Sequence, residues 1–191
     1  MTCRAGFVWQ TKQYFNRFIE DCGIGCELVT PHMLAAPFFR GNFSCLIIPT
    51  GFGNMQFSNI LPAVRASSGR IQKFVEKGGN LVVFGAAADK PEAYDWLPLP
   101  LTYHHDVHPR ALSCKEGSDA CTLIEDYDPH NIECDGVFEA PGWDHVCLAD
   151  GAPVVVEKQA GKGKIVVTSV HEYPSKEFLR RYCCTEHEIA F

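Results

Sequence analysis

The sequence has no run of about 18 consecutive apolar residues, so no segment reads as a transmembrane helix. Its first residues, MTCRAGFVWQTKQYFNRF, contain no apolar stretch of signal-peptide length. The expected location is therefore the cytoplasm, where thiols stay reduced. An excess of positive charge is also missing: 17 Lys and Arg stand against 23 Asp and Glu, a net −6. That balance argues against a nucleic-acid partner and against anionic membranes. There is no CxxC pair among the ten cysteines, which removes the common zinc-finger spacings and the usual dithiol redox motif. Gly161-Lys-Gly163 lacks the spacing of a phosphate loop and joins two strand-like runs, not a strand and a helix. No internal repeat is visible.

What remains is an ordinary globular composition, 46% hydrophobic and 21% charged, in 191 residues. That is one domain's worth of chain, long enough to bury a core without disulfides or metals. The cysteines are spread from Cys3 to Cys184 and are read as mainly small buried hydrophobes, with the adjacent Cys183 and Cys184 redox-sensitive if exposed.

Residues 5–9 form a short apolar run, a first strand. Across 11–22, Tyr14, Phe15, Phe18, Ile19 and Cys22 recur at helical spacing, and Gly23 stops the helix. Residues 26–30 read as a strand and 33–42 as a connector with at most one helical turn. Cys45-Leu-Ile-Ile-Pro49 is continuously apolar, as in a strand buried on both faces of a parallel sheet. Thr50-Gly-Phe-Gly-Asn54 is a flexible turn at its end. A helix over 59–77 and a strand over 81–84 follow. Residues 89–150, with six prolines and most of the histidines, read as an irregular insertion with short strands near 121–125, 136–139 and 145–148. Two runs, 153–158 and 164–168, form a hairpin around a glycine-rich turn, and a last helix spans about 174–183. The rhythm is that of a mostly parallel α/β sheet.

In such sheets, ligands bind at the carboxyl ends of the strands. Three loops leave such ends: 50–54, 85–89 and 169–175. The last holds His171 and Glu172, residue types suited to acid–base work. The plainer reading has Glu172 cap the last helix and His171 serve as a hydrogen-bonded packing residue.

The succession CLIIPTGFGN, FVEKGGNLVVFGAA and GKGKIVVTSVHEYPS resembles the class I glutamine amidotransferase-like superfamily over nearly the whole chain, least in 89–150. It is most similar to divergent members, such as the N-terminal-like domains of some biotin–protein ligases and the trehalose-utilisation type. The resemblance implies a single flavodoxin-like domain, an open, mostly parallel sheet with helices on both faces, a C-terminal β-hairpin and the insertion. It places an oxyanion loop of backbone amides at Thr50, Gly51 and Phe52. It places the nucleophilic cysteine at Phe84, or at Gly85 if the turn slides by one. Neither residue is a nucleophile, and no cysteine lies between Cys45 and Cys114. His171 matches the family histidine. Glu172 is adjacent to it where the family has its glutamate two positions on, a place held here by Tyr173.

Losing the nucleophile removes the covalent intermediate of glutamine hydrolysis. The expectation is a domain without glutaminase activity that binds a small molecule or a protein partner through Thr50, Gly51, Phe52, Phe84, Gly85 and Tyr173. The competing expectation is a hydrolase or lyase using His171 and Glu172. In that case the insertion histidines of the His104-His105-Asp106-Val107-His108 run could assist through a metal, with His104 and His108 as ligands. His130 with Cys134, and His145 with Cys147, are further soft-ligand pairs. No other cofactor is implied. Two-fold homodimers are the commonest assemblies of soluble proteins, the only ground for expecting one here.

Overall fold

The computed structural model describes all 191 residues. In chain order the elements are β1 (Thr2–Val8), α1 (Tyr14–Asp21), β2 (Gly25–Val29), α2 (Pro31–Ala35), β3 (Asn42–Phe43), β4 (Cys45–Ile48), α3 (Ile60–Glu76), β5 (Asn80–Val83), β6 (Thr102–Arg110) and β7 (Leu112–Cys114). A 3₁₀ helix spans Asp119–Ile124. Then come β8 (Ile132–Glu139), β9 (Asp144–Ala149), β10 (Ala152–Ala160), β11 (Gly163–Thr168), α4 (Lys176–Cys183), β12 (Cys184–Thr185) and β13 (Ile189–Ala190).

One mostly parallel sheet organises the chain, in the order β12-β1-β4-β5-β11-β10-β9-β7, with β2 also paired to β1. The strands β2, β1, β4, β5 and β11 run parallel; β10, β9 and β7 continue the sheet antiparallel. Every residue of β4 and β5 is buried, as their unbroken apolar runs require. Helices flank this sheet, and 58 buried residues form a single apolar cluster. No helix is long and apolar enough to cross a membrane.

The insertion is more ordered than its prolines suggest. β7 and β9 extend the main sheet, while β6 and β8 pair in a separate two-stranded ladder. Tyr94 meets Tyr103 and Phe138 edge-on, Tyr103 and Phe138 pack at a tilt, and Phe52 packs edge-on against Tyr94, fastening the insertion to the sheet.

Three expectations need correction. The segment near 121–125 is the 3₁₀ helix, not a strand. Ala120, Leu123 and Ile124 are buried at helical spacing, and Ser118 Oγ accepts from the Ala120 amide. In α1, Tyr14 is 89% exposed, and Asn16 is turned inward instead. Its Oδ1 accepts from the Gln13 amide at 2.8 Å, which closes the helix start and fixes that rotation. The cysteines are not all packing. Cys3–Cys184 and Cys114–Cys147 form disulfides between register partners on β1/β12 and β7/β9. Because β12 and β7 are the two ends of the sheet path, each end strand is covalently tied to its neighbour. Cys184 is therefore no free thiol, and Cys183 is buried.

Candidate functional site

The segment that leaves β11 builds the site. Residues 169–171 run antiparallel beside β8: Asp135 N donates to Ser169 O at 2.7 Å and His171 N to Glu133 O at 2.9 Å. Ser169 Oγ adds a bond to Gly136 O at 2.6 Å. This short ladder places His171 against Asp135. Asp135 Oδ1 accepts from His171 Nδ1 at 3.0 Å. A carboxylate oxygen only accepts, so the proton sits on Nδ1 and Nε2 is left for whatever enters.

Asp135 is 2% exposed, whereas the His171 side chain is half exposed. The hydrogen bond to Asp135 holds the imidazolium above its ordinary titration range, against the opposing effect of burial. Tyr103 Oη donates to Asp135 O at 2.9 Å and lies within 2.9 Å of His105 Nδ1. Burial, and next the Asp135 charge, push the Tyr103 hydroxyl upward. The other carboxylate oxygen, Asp135 Oδ2, is buried with no partner.

A cleft of about 210 Å³ opens beside this pair, lined by Gln13, Phe15, Pro49, Thr50, Phe84, His171, Glu172 and Tyr173. Its wall is aromatic. Phe15 stacks on Tyr173 at 4.7 Å between centroids and meets Phe84 edge-on at 5.5 Å. Thus Thr50, Phe84, His171, Glu172 and Tyr173, named from the sequence, share one cleft at the carboxyl ends of the strands. Gly51, Phe52 and Gly85 do not line it. Phe52 is fully buried. The Gly51 amide donates to Gly85 O at 2.8 Å and the Gly53 amide to Ala86 O at 3.1 Å. The two post-strand loops are zipped together, so the Gly51 amide is already used and gives no free oxyanion donor.

The position that the resemblance assigns to the nucleophile differs in a second way. A Cβ built on Gly85 would sit 2.8 Å from Asp135 Cγ and 2.9 Å from Asp135 Cβ, closer than real Cβ contacts come. Asp135 thus occupies the space of a side chain on Gly85. No helix follows β5, so the tight strand-to-helix turn is not formed either. No cysteine from elsewhere lines the cleft. Cys45 is fully buried in β4 and Cys114 is disulfide-bonded. Cys134, next to Asp135 in the chain, is pushed by burial up to about 12 and carries no thiolate at neutral pH.

Glu172 does not cap α4; Ser175 does, its Oγ accepting from Phe178 N at 3.0 Å. Glu172 Oε1 accepts from Glu133 N at 2.9 Å, and Oε2 is buried without a partner. The insertion histidines stay apart from the cleft lining. His104 and His108 lie on exposed β6, where His104 Nε2 is 2.7 Å from Glu139 and His108 Nδ1 is 3.2 Å from Asp106. No third ligand converges on them; the strand geometry and a bulge between His105 and His108 replace the shared helical face that the pairing needed. A wider cleft of about 660 Å³, lined by Gln10, Thr30, Pro31, His32, Ala35, Asn59, Pro62, Ala63 and Ala66, has His32 as its only ionisable group and no acid–base pair.

The sequence reading missed Asp135, 36 residues from His171, and the aromatic contribution of Phe15. Asp135 is one of three acidic residues in Ile132–Glu139, with Glu133 and Glu139, and nothing in that run singles it out.

No protein-family model matches the chain, and no curated protein is similar to it in sequence. Solved structures are similar in fold. A cold-adapted β-galactosidase from Rahnella sp. R3 is 12% identical with a TM-score of 0.59, covering 95% of this chain but 30% of its own. Cytoplasmic protein STM3548 of Salmonella typhimurium is 12% identical with a TM-score of 0.57, covering 94% of this chain and 96% of its own. A Thermoplasma acidophilum protein described as a GMP synthase component is 10% identical with a TM-score of 0.58, covering 95% and 92%. The chain spans about a third of the galactosidase. At these identities the likeness is one of fold alone.

Proposed function

We propose that the chain is an amidotransferase-like domain without glutaminase activity that binds a small molecule in the His171 cleft. One observation carries the reading: the Asp135 carboxylate fills the place of a side chain on Gly85 and is bonded to His171. A nucleophile cannot be housed there, while the histidine is held with Nε2 free. The fold likeness to the GMP synthase component supports the amidotransferase-like part, together with the motifs of the sequence. A small molecule is favoured over a protein partner because His171, held by Asp135 behind it, lines a concave, aromatic-walled cleft. The chemistry of the walls suits a compact ligand with an apolar face for Phe15 and Tyr173 and an acceptor for His171. A hydrolase or lyase using His171 with Glu172 is not favoured, since Glu172 is bonded to the Glu133 amide and makes no hydrogen bond to His171.

The test has two parts. Incubation with glutamine should release no ammonia above a heat-denatured control; release abolished by thiol alkylation would overturn the non-glutaminase reading. Titration with benzoate, which offers both features, should shift the His171 ring resonances in NMR spectra and raise their apparent pKa. Unmoved resonances for His171 would refute this ligand chemistry.

A further inference from the structure

Away from the cleft, three sulfurs converge. Cys114 on β7 and Cys147 on β9 face each other as register partners, and Cys121 in the 3₁₀ helix brings a third sulfur, all within 4.8 Å of one another. Cys121 is a free thiol, half-buried, and its S–H donates to Lys115 O at 2.8 Å. No other three ligand atoms of Cys, His, Asp or Glu come together in the molecule. Ordinary packing does not explain the grouping. A single cross-strand disulfide ties β7 to β9 without any need for a third sulfur, and the matching disulfide at the other end of the sheet has none within that reach.

Zinc bound by thiolates has Zn–S bonds of about 2.3 Å at tetrahedral angles, which sets sulfur–sulfur separations near 3.8 Å. Once reduced, the Cys114 and Cys147 sulfurs, bonded to each other in the disulfide, must part to that separation, while Cys121 Sγ, within 4.8 Å of both, needs to close up only slightly. Three soft thiolates and an open fourth position suit zinc or another thiophilic ion rather than magnesium or calcium. Cys114 and Cys121 are only half-buried, which leaves the group open to solvent on their side.

We propose that Cys114, Cys121 and Cys147 form a zinc site that is closed by the Cys114–Cys147 disulfide and opened by its reduction. The redox step balances with a dithiol reductant. Two electrons and two protons pass to the disulfide, giving two thiols, while the reductant forms its own disulfide. Binding of one Zn²⁺ then displaces three protons from the three thiols. Oxidised protein offers a single thiol there and holds no metal. The site therefore couples the oxidation state at one edge of the sheet to metal occupancy. It stands independently of the cleft reading.

The experiment uses the full chain, either oxidised or reduced and then freed of reductant, titrated with Zn²⁺ against a chromophoric chelator. Co²⁺ serves as the spectroscopic probe. Reduced protein should bind one ion per chain and show thiolate-to-cobalt charge transfer; oxidised protein should not. Cys121→Ser keeps the disulfide partners and should weaken zinc binding to the reduced chain by more than about tenfold, the order expected for loss of a primary ligand. Cys184→Ser, which removes the other disulfide, should leave binding unchanged. Equal binding by oxidised and reduced chains, no binding by the reduced chain, or an unaffected Cys121→Ser variant would each overturn the proposal.

Discussion

Gly85→Ala tests the central geometric statement, that Asp135 has taken the room of a side chain at the end of β5. Gly85 has no positive φ, so alanine meets no backbone strain there, and the effect of the substitution is one of contact. The new Cβ would lie 2.8 Å from Asp135 Cγ and 2.9 Å from its Cβ. Rotating the carboxylate away relieves the first contact but not the second. The Asp135 backbone is pinned by its amide bond to Ser169 O and by Tyr103 Oη, so the strand gives little. Overpacking of this kind costs about 1–3 kcal/mol. Replacing glycine restricts the unfolded chain and offsets about 0.4–1 kcal/mol. A net loss of about 1–2 kcal/mol is expected in denaturant unfolding. The displaced carboxylate should also release His171, whose NMR titration should fall back toward the ordinary value of 6.5. In an Asp135→Ala background the Cγ contact is gone, so Gly85→Ala should cost less there; the coupling in the double-mutant cycle should exceed about 0.5 kcal/mol. A Gly85→Ala protein of unchanged stability and unchanged His171 titration would refute the reasoning.

Asp135→Asn keeps an acceptor for His171 but removes the charge. The folded-state pKa of His171 is raised, so its contribution to stability is complete below the unfolded value of about 6.5 and is lost as pH rises through the raised folded value. The half-exposed ring keeps that contribution modest. Urea unfolding at pH 5 and pH 8 should show a smaller pH dependence in the variant than in the parent, and an identical one would refute the pairing. Cys3→Ser opens a loop closed over a separation of 181 residues, and chain entropy puts the loss at up to about 5 kcal/mol under non-reducing conditions. The difference from the parent should vanish in strong reductant, and its absence in the oxidised proteins would show that the bond contributes nothing. Ser175→Ala removes the α4 cap and should cost about 1 kcal/mol in the same measurement.

Much of the parallel core was legible because β4 and β5 are buried on both faces and so carry unbroken apolar runs, and because α3 presents Ile71, Phe74 and Val75 at helical spacing. The insertion was less legible because its strands are short, partly exposed and interrupted by prolines. β6 shows the difficulty: most of its residues face solvent, so no alternation marks it. The 3₁₀ helix was misread because six residues carry too little periodicity to separate a helical spacing from a strand-like one. The two disulfides were illegible from spacing alone, since each depends on register between strands that only the fold brings together. The cleft was partly legible through position: residues at strand ends converge wherever the sheet is parallel. Which of the loop amides remain free was not, because Gly51 meets Gly85 only through the pairing of β4 with β5.

The bare glycine at 85 and the placement of Asp135 are one structural event. β8 runs beside residues 169–171, and that pairing brings Asp135 to both His171 and the end of β5 at once. A side chain at Gly85 and the Asp135–His171 pair compete for the same volume. This β8 placement disfavours any side chain at 85, and His171 pairs with a carboxylate from β8 and not with Glu172 from its own loop. Glu172, released from that task, bonds to the Glu133 amide and steadies the same short ladder. Introducing a thiol alone should therefore fail to give glutamine hydrolysis. Gly85→Cys should release no ammonia from glutamine, since its Cβ meets the Asp135 carboxylate and the Gly51 amide still donates to the carbonyl of residue 85. Ammonia release from glutamine by that single variant would show that the two arrangements are not exclusive.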